Sequence, residues 1–330
     1  MTTQTWDVVI AGAGPAGLSA ALVLGRARRK VLLCDTGTPR SWASKEMHGF
    51  LTRDGIAPAE FRRLAHKEVG RYSNVVFCAA EVTAASSLAG GGFSVAIAGK
   101  RRTRSRKLLI ATGVFDHLPP VTGIEALFGK SVFQCPYCDG WEVSDAPIAV
   151  YGKRRRGFEM ARAMTAWTSD IALCTDGAAL LTDTERTHLQ RNGIEIFEER
   201  IERLASTRGK LREIIFRGGR RLKRSALFFD TPCSGQSKLA ESLGCQFSRH
   251  GGVKCGQYEA TSVSGVFVAG NIIKDVQLVI VAAAEGTRAA FGINRALTRE
   301  DFLARATGSR RIEHPSLEDP DMHRRRTKHA

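Results

Sequence analysis

The chain contains no apolar run approaching the roughly 20 residues that a membrane-spanning helix needs. Its first six residues lead straight into an apolar strand, which leaves no room for a signal peptide. These two absences create the expectation of a cytoplasmic protein with no membrane partner. Also missing are a second Cys-x-x-Cys and any His-x-x-x-His. A zinc site would need such further ligands, so no metal is expected. The eight cysteines, Cys34, Cys78, Cys135, Cys138, Cys174, Cys233, Cys245 and Cys255, include one closely spaced pair. In a chain of 330 residues that is no disulfide framework, and in a reducing compartment a close pair is more often catalytic. The other six read as core or strand-end residues. No recognised nucleic-acid-binding module accompanies the excess of 49 Lys and Arg over 33 Asp and Glu, a net charge of +16. The basic residues are spread along the chain, with clusters at 101–102, 153–156, 220–221 and 324–326. The excess therefore reads as solvated charge, with an acidic substrate or partner as the alternative, and no nucleic acid is expected.

What remains is an ordinary globular composition, 43% hydrophobic and 25% charged. The length is enough for a large core and for two domains. The chain is organised around Cys135-Pro136-Tyr137-Cys138-Asp139-Gly140. Two cysteines three apart can form and break a small-loop disulfide, and the thiolate is the reactive form. At a helix N-terminus the dipole would lower the thiol pKa. Pro136 suits the first helical position because the N–H it lacks has no intrahelical partner there. Asp139, next in the chain, can move the proton that thiol–disulfide exchange requires. Half of a zinc site and two inert core cysteines are the competing readings; the Pro, Asp and Gly together favour redox chemistry.

A redox pair needs an electron carrier, and the N-terminal segment offers a place for one. Residues 7–11 form a β-branched apolar run, and Gly12, Gly14 and Gly17 form a turn with Pro15 and Ala16 between them. Residues 18–25 are helical in pattern, 30–34 form a second strand, and Asp35 ends it, 23 residues after Gly12. Gly12 allows the tight turn, Gly14 lets backbone approach a pyrophosphate, and Gly17 lets helix and strand pack closely. The diphosphate sits on the helix N-terminus, and Asp35 is placed to accept from ribose hydroxyls.

A second strand–turn–helix unit begins at 146–151 and runs through 152–157 into a helix at 158–167. Arg154 stands where the middle glycine belongs, and a side chain there obstructs the approach of a pyrophosphate. The strand at 170–174 leads to Thr175-Asp176-Gly177, without an arginine to receive a 2′-phosphate. Elsewhere a helix is expected over 58–72, with Phe61 and Leu64 on one face. Strands are expected at 75–77, over 81–106 with a turn at 90–92, and at 107–113. A linker follows at 116–123, and a helix over 180–192 is capped by Gly193. Strands are expected over 195–229 and at 266–271. A long alanine-rich helix from Gln277 to Leu297 is broken by Gly286 and Gly292. The polar, basic stretch 308–330 is expected to be disordered.

Gly12-Ala13-Gly14-Pro15-Ala16-Gly17, Ala111-Thr112-Gly113, the Cys135–Gly140 motif and the run from Gly265 to Gly270-Asn271 occur in one order. Over about residues 5–300 this order resembles the low-molecular-weight thioredoxin reductase family. The resemblance implies an α/β fold of two Rossmann-like, three-layer ββα nucleotide-binding domains, the second inserted in the first. The FAD domain would comprise 1–117 and 236–305, the NAD(P)H-type domain 118–235 with the cysteine pair, and 306–330 a basic tail. It implies FAD on the first glycine motif, on Thr112, Gly113, Gly270 and Asn271, and with Asp35 on the adenosine ribose. It also implies a homodimer. Cys138 resembles the cysteine that faces the flavin, Cys135 the one that exchanges with substrate, and Asp139 the proton donor and acceptor. Gln277 would open the last long helix, aiming its positive end at the flavin N1–C2=O edge.

Three departures shape the functional expectation. Asn271 replaces the family's usual Asp, Val276 replaces an arginine before Gln277, and the second turn lacks its middle glycine and 2′-phosphate arginines. This pattern resembles divergent members, which include dithiol oxidases of disulfide natural products and reductases fed by donors other than NADPH. The expected function is an FAD-dependent thiol–disulfide oxidoreductase with weak or absent NADPH or NADH use. Its substrate would be a dithiol or disulfide, either a small molecule or a thioredoxin-like protein. A conventional NAD(P)H-dependent disulfide reductase and a non-enzymatic FAD-binding redox sensor are the alternatives.

Overall fold

The computed structural model describes residues 5–100, 102–235 and 238–307. Arg101 and the basic stretch from 308 onward, with its expected disorder, lie outside the described residues. The first glycine unit is β1 (Thr5–Ala11), α1 (Pro15–Arg26) and β2 (Val31–Cys34). Then come α2 (Pro58–Val69), β3 (Val75–Cys78), β4 (Val82–Ser87), β5 (Phe93–Ile97), β6 (Thr103–Ile110) and β7 (Val114–Asp116). The cysteine pair lies between α3 (Ile124–Leu127) with β8 (Val132–Phe133) and the second glycine unit, in α4 (Pro136–Asp139). That unit is β9 (Ile148–Tyr151), α5 (Arg154–Met164) and β10 (Ile171–Cys174), followed by α6 (Asp183–Arg191). Short strands come next: β11 (Glu195–Phe197), β12 (Ile201–Thr207), β13 (Lys210–Phe216), β14 (Arg221–Lys223), β15 (Ala226–Phe229) and β16 (Cys233–Gly235). The chain ends in α7 (Leu239–Ser242), β17 (Val266–Val268) and α8 (Val279–Ala306).

The chain divides into two compact units. The first takes residues up to 38, 62–113 and the portion from 237, and the second takes 39–61 and 114–236.

In unit 1 the sheet runs β3-β2-β1-β6, and β6 divides its length between two neighbours. Residues 103–105 pair antiparallel with β5, which continues to β4, while 108–110 pair parallel with β17. Alternation along β1 decides the layers. Val8 and Ile10 point into a cluster with Leu18, Ala21, Leu24, Ala289 and Ile293 of α1 and α8. Val9 and Ala11 point the other way, among Phe93, Val95, Ile97 and Val253, and Trp6 at the start of the strand joins that second cluster. Buried on both faces, β1 and β2 read as near-continuous apolar runs, as parallel strands do. Strands 81–106 and 107–113 of the sequence reading meet as one element, β6, because Lys107 continues the pairing with Val8 of β1.

Helix α8 differs from its expectation. It starts at Val279 after the extended cap residue Leu278 and runs unbroken to Ala306. Gly286 and Gly292 are contact points, not breaks. A Cβ on Gly286 would strike the backbone oxygen of Ala16, and one on Gly292 would lie 2.6 Å from Tyr258 Cβ. The missing side chain at 286 lets α8 press against α1, and the one at 292 admits the turn that carries Tyr258. Arg29 holds the other end of that pair, donating to Asn294 at 2.7 Å, Thr298 at 2.8 Å and Asp301 at 2.6 Å.

In unit 2 a parallel sheet of order β11-β10-β9-β15-β8 has α5 and α6 on one face. The antiparallel sheet β12-β13-β14 covers the other. A two-stranded ribbon joins β16 to β7. The 39–61 segment is tied to this unit by Arg40, whose guanidinium grips Asp116 with two bonds of 2.6 Å. Trp42 packs on Phe128 in the same region. Among the described residues, no helix is long and apolar enough to cross a membrane.

Candidate active site

In unit 1 the turn after β1 is built by backbone proximity. Gly12 has φ +104°, and a Cβ there would run into the Ala111 carbonyl; a Cβ on Gly17 would strike the Gly12 carbonyl. Nothing lies within 4 Å of the Cβ position of Gly14. The middle glycine thus faces open space at the start of α1, where Pro15 takes the first helical position and Ala16 is buried. Thr112, at the end of β6, buries a hydroxyl Oγ1 that has no hydrogen-bond partner among the described residues. Such orphans are rare and call for an explanation. An open glycine cradle with an orphaned hydroxyl fits a dinucleotide, which Gly12, Gly14, Pro15, Ala16, Gly17, Thr112 and Gly113 could hold.

Asp35 follows β2 as expected, but it already has company. Its Oδ1 accepts the Ala13 N–H at 3.3 Å, and its Oδ2 accepts from Arg62 of α2 at 2.8 Å. The sequence reading missed Arg62, because only folding brings α2 to the end of β2. Glu285 was missed in the same way. From α8 it accepts the Gly270 N–H at 2.7 Å, and burial pushes its carboxyl up while that bond opposes the shift. Asn271 opens a short 3-10 turn, Asn271–Ile273. Gln277 does not open α8 as expected. It lies two residues before the first helical residue, because Leu278 adopts the extended conformation of an N-cap.

In unit 2 β8 delivers the chain to the cysteine pair. Cys135 is extended and caps α4, Pro136 follows, and Cys135 and Cys138 form a disulfide with Cα atoms 5.2 Å apart. The turn closes through N–H groups of Cys138 and Asp139 donating to the Cys135 carbonyl, both at 3.2 Å. Gly140 is needed because a Cβ there would sit 2.9 Å from the Trp167 ring. That ring meets Tyr137 edge-on at 5.4 Å, while Tyr137 and Trp141 stay exposed. Helix α4 has four residues, a single turn that Cys135 caps.

Asp139 is half-buried, and its carboxyl is pushed up to about 7. Burial is the main cause, the charge of Glu142 adds to it, and His48 opposes both. Neither Glu142 nor His48 was expected at the site. His48 was hidden in a loop-like stretch with no pattern to mark it.

The second glycine turn retains its outer glycines. Gly152 and Gly157 lie against each other so closely that a Cβ on either would clash with the other's backbone. Arg154, in the middle place, holds φ +55° with its side chain exposed. The basic run 153–156 is mostly helical. Helix α5 begins at Arg154; Arg155 pairs with Glu159, and Arg156 with Asp230 at 3.5 Å. Lys153 donates to the Asp176 carbonyl at 2.8 Å. Arg200 stands beside Gly177 with Nη1 3.8 Å from Asp176 Oδ2. A cation therefore does stand at the end of β10, supplied by a connection that the local sequence around 175–177 could not reveal.

A family model described as pyridine nucleotide-disulphide oxidoreductase matches residues 6–286. The thioredoxin reductase tcpT of Claviceps purpurea is 30% identical over 82% of this chain and 87% of its own length. A probable thioredoxin reductase of Arthroderma benhamiae is 34% identical over 52% of this chain, but the match covers only 44% of that relative. Among solved structures, HlmI is 34% identical with a TM-score of 0.89, over 93% of this chain and 98% of its own. A Bacillus anthracis protein titled thioredoxin reductase TrxB is 32% identical with a TM-score of 0.85, over 90% of this chain and all of its own. The chain belongs to the pyridine nucleotide-disulphide oxidoreductases, as a thioredoxin reductase-like, FAD-dependent disulfide oxidoreductase with two Rossmann-type units.

Proposed function

We propose that the chain moves electron pairs between FAD and a substrate dithiol or disulfide through Cys135 and Cys138, with weak or absent use of NADPH. Unit 1 serves as the FAD-binding domain, and unit 2 carries the cysteine pair. The observation behind this reading is the Cys135–Cys138 disulfide followed by the half-buried Asp139, in a chain whose second turn carries Arg154. When bound, FAD stores or releases the electron pair. The protein's own part is sulfur and proton chemistry. Opening the disulfide takes up two electrons and two protons. A carboxyl titrating near neutrality beside Cys138 can give a proton to one sulfur and take it back when the bond closes. By the family resemblance Cys135 exchanges with substrate and Cys138 faces the flavin. A homodimer in the cytoplasm is part of the same reading.

A second reading is a conventional NAD(P)H-dependent disulfide reductase. Lys153 and Arg200 beside Gly177 favour it, since they put positive charge at the end of β10. The names of the relatives as thioredoxin reductases also support a protein disulfide as substrate. An anaerobic titration of the flavin band with NADPH, NADH and a dithiol separates the two. Bleaching by the dithiol alone supports the first reading. Rapid bleaching by a nicotinamide, with micromolar affinity, supports the second. In the Cys138→Ser variant, flavin–thiol exchange should vanish while FAD stays bound; unchanged turnover would overturn both.

A further inference from the structure

His48 lies on the 39–61 segment of unit 2, distant in sequence from the cysteine pair, and its ring stands among three carboxylates. Nε2 is 3.4 Å from Glu142 Oε1 and 3.7 Å from Glu46 Oε2, and Nδ1 is 3.5 Å from Asp54 Oδ1. The ring is held in place by its neighbours. Met47 and Ile56 close the segment by an antiparallel bridge, and Asp54 also accepts the Gly49 N–H at 2.8 Å. The His48 side chain is 18% exposed, against 60% for Glu46 and 69% for Asp54. It thus stands between two solvent-facing acids and Glu142, which follows Asp139 on the short turn Trp141–Val143.

We propose that His48 is a positioning residue for Asp139: held by Glu46, Asp54 and Glu142, it fixes the Glu142 carboxylate and with it sets the charge that acts on Asp139. The inference deepens the thiol–disulfide reading above and rests on it. In each exchange one S–S bond forms as another opens, and no electrons are left over. The attacking thiol loses a proton to the Asp139 carboxylate, and the leaving sulfur gains one from the Asp139 acid. Asp139 must therefore change protonation state in every cycle, and the charges held near it set the pH at which it does so. The charged groups that act on Asp139 are Glu142, three residues along the chain, and His48; those facing His48 are Glu46, Asp54 and Glu142. Positive charge on His48 favours the Asp139 carboxylate and negative charge on Glu142 disfavours it, so removing each has an opposite effect.

The test uses the full-length, FAD-loaded protein in anaerobic stopped flow, with dithiothreitol as the probe and the rate of flavin bleaching followed from pH 5.5 to 9. The wild type should show a limb near pH 7 that Asp139→Asn removes. His48→Gln should move that limb up by about one pH unit, the size a single nearby charge gives. Glu142→Gln should move it down. His48→Lys, which places a fixed positive charge there, should leave the limb at or below its wild-type position. Flavin content and far-ultraviolet circular dichroism equal to wild type establish that each variant is folded. A limb unmoved in His48→Gln, or moved in the same direction in His48→Gln and Glu142→Gln, overturns the role of His48 while leaving the thiol–disulfide reading intact. Absence of bleaching by dithiothreitol in the wild type overturns that reading itself, and the role of His48 with it.

Discussion

At Asp139 burial and a neighbouring carboxylate work against ionisation, and the consequence reaches beyond catalysis. A carboxyl that titrates at about 7 when folded and near 4 when unfolded binds more protons in the native state between those values. Stability therefore falls as pH rises through that window and levels off above it. Asp139→Asn removes the effect, so the variant should match wild type below about pH 4 and melt higher than wild type above pH 7. Thermal midpoints of both proteins across pH 4–8 check this. The buried cysteines show the opposite side of the same physics. Burial first, with Cys78 beside it, pushes the Cys34 thiol up to about 12, and burial does the same to Cys174. Because the thiolate is the nucleophile, iodoacetamide at pH 7.5 should label Cys135 and Cys138 after mild reduction and leave Cys34 and Cys174 unmodified in peptide mass spectra. Labelling of Cys34 at the same rate as Cys135 would contradict this account.

Helices α1 and α8 meet at Gly286, and the price of a methyl group there is readable from the backbone. A Cβ would lie inside the Ala16 carbonyl and 2.9 Å from the Ala16 Cα, so α1 would have to shift. Overpacking of this kind costs about 1–3 kcal/mol. Gly286→Ala should lower the urea midpoint by a corresponding amount and reduce the ratio of flavin to protein absorbance, since Ala16 and Gly17 begin α1. The first glycine unit was legible from sequence because its signals are local: strand, turn, helix, strand and acid within 35 residues. Gly286 was misread because a glycine that ends a helix and one that admits a neighbour look alike until the neighbour is known. The start of α5 was placed late, at 158 and not Arg154, for a related reason. Four consecutive basic residues suggest a solvated loop, but Glu159 and Asp230 give Arg155 and Arg156 partners on the helix that starts there.

Over the whole chain the charge of +16 sets long-range behaviour that no single pair explains. Fields of this sign raise the local concentration of anionic substrates, and salt screens them within about 10 Å at 0.1 M. Turnover of a dithiol bearing carboxylates should fall several-fold between low salt and 0.5 M NaCl, while that of uncharged dithiothreitol should change little. Equal salt dependence for both would remove any steering role for the net charge. At this scale the sequence was informative about the order of motifs, but its expected domain of 1–117 took in the segment 39–61, which the fold groups with 114–236. That stretch lacks a periodic pattern, and its attachment to unit 2 depends on Arg40, Trp42 and His48 meeting Asp116, Phe128 and Glu142, partners more than 70 residues away.

That attachment makes unit 2 a module in two pieces of chain. A chimera that exchanged residues 114–235 with a relative and kept the host's 39–61 would leave Arg40, Trp42 and His48 facing foreign partners. One that carried 39–61 along would preserve all three pairings. Recombination of these enzymes is therefore expected to succeed when crossovers fall after residues 38 and 61 as well as after 113, and the two segments should be inherited together.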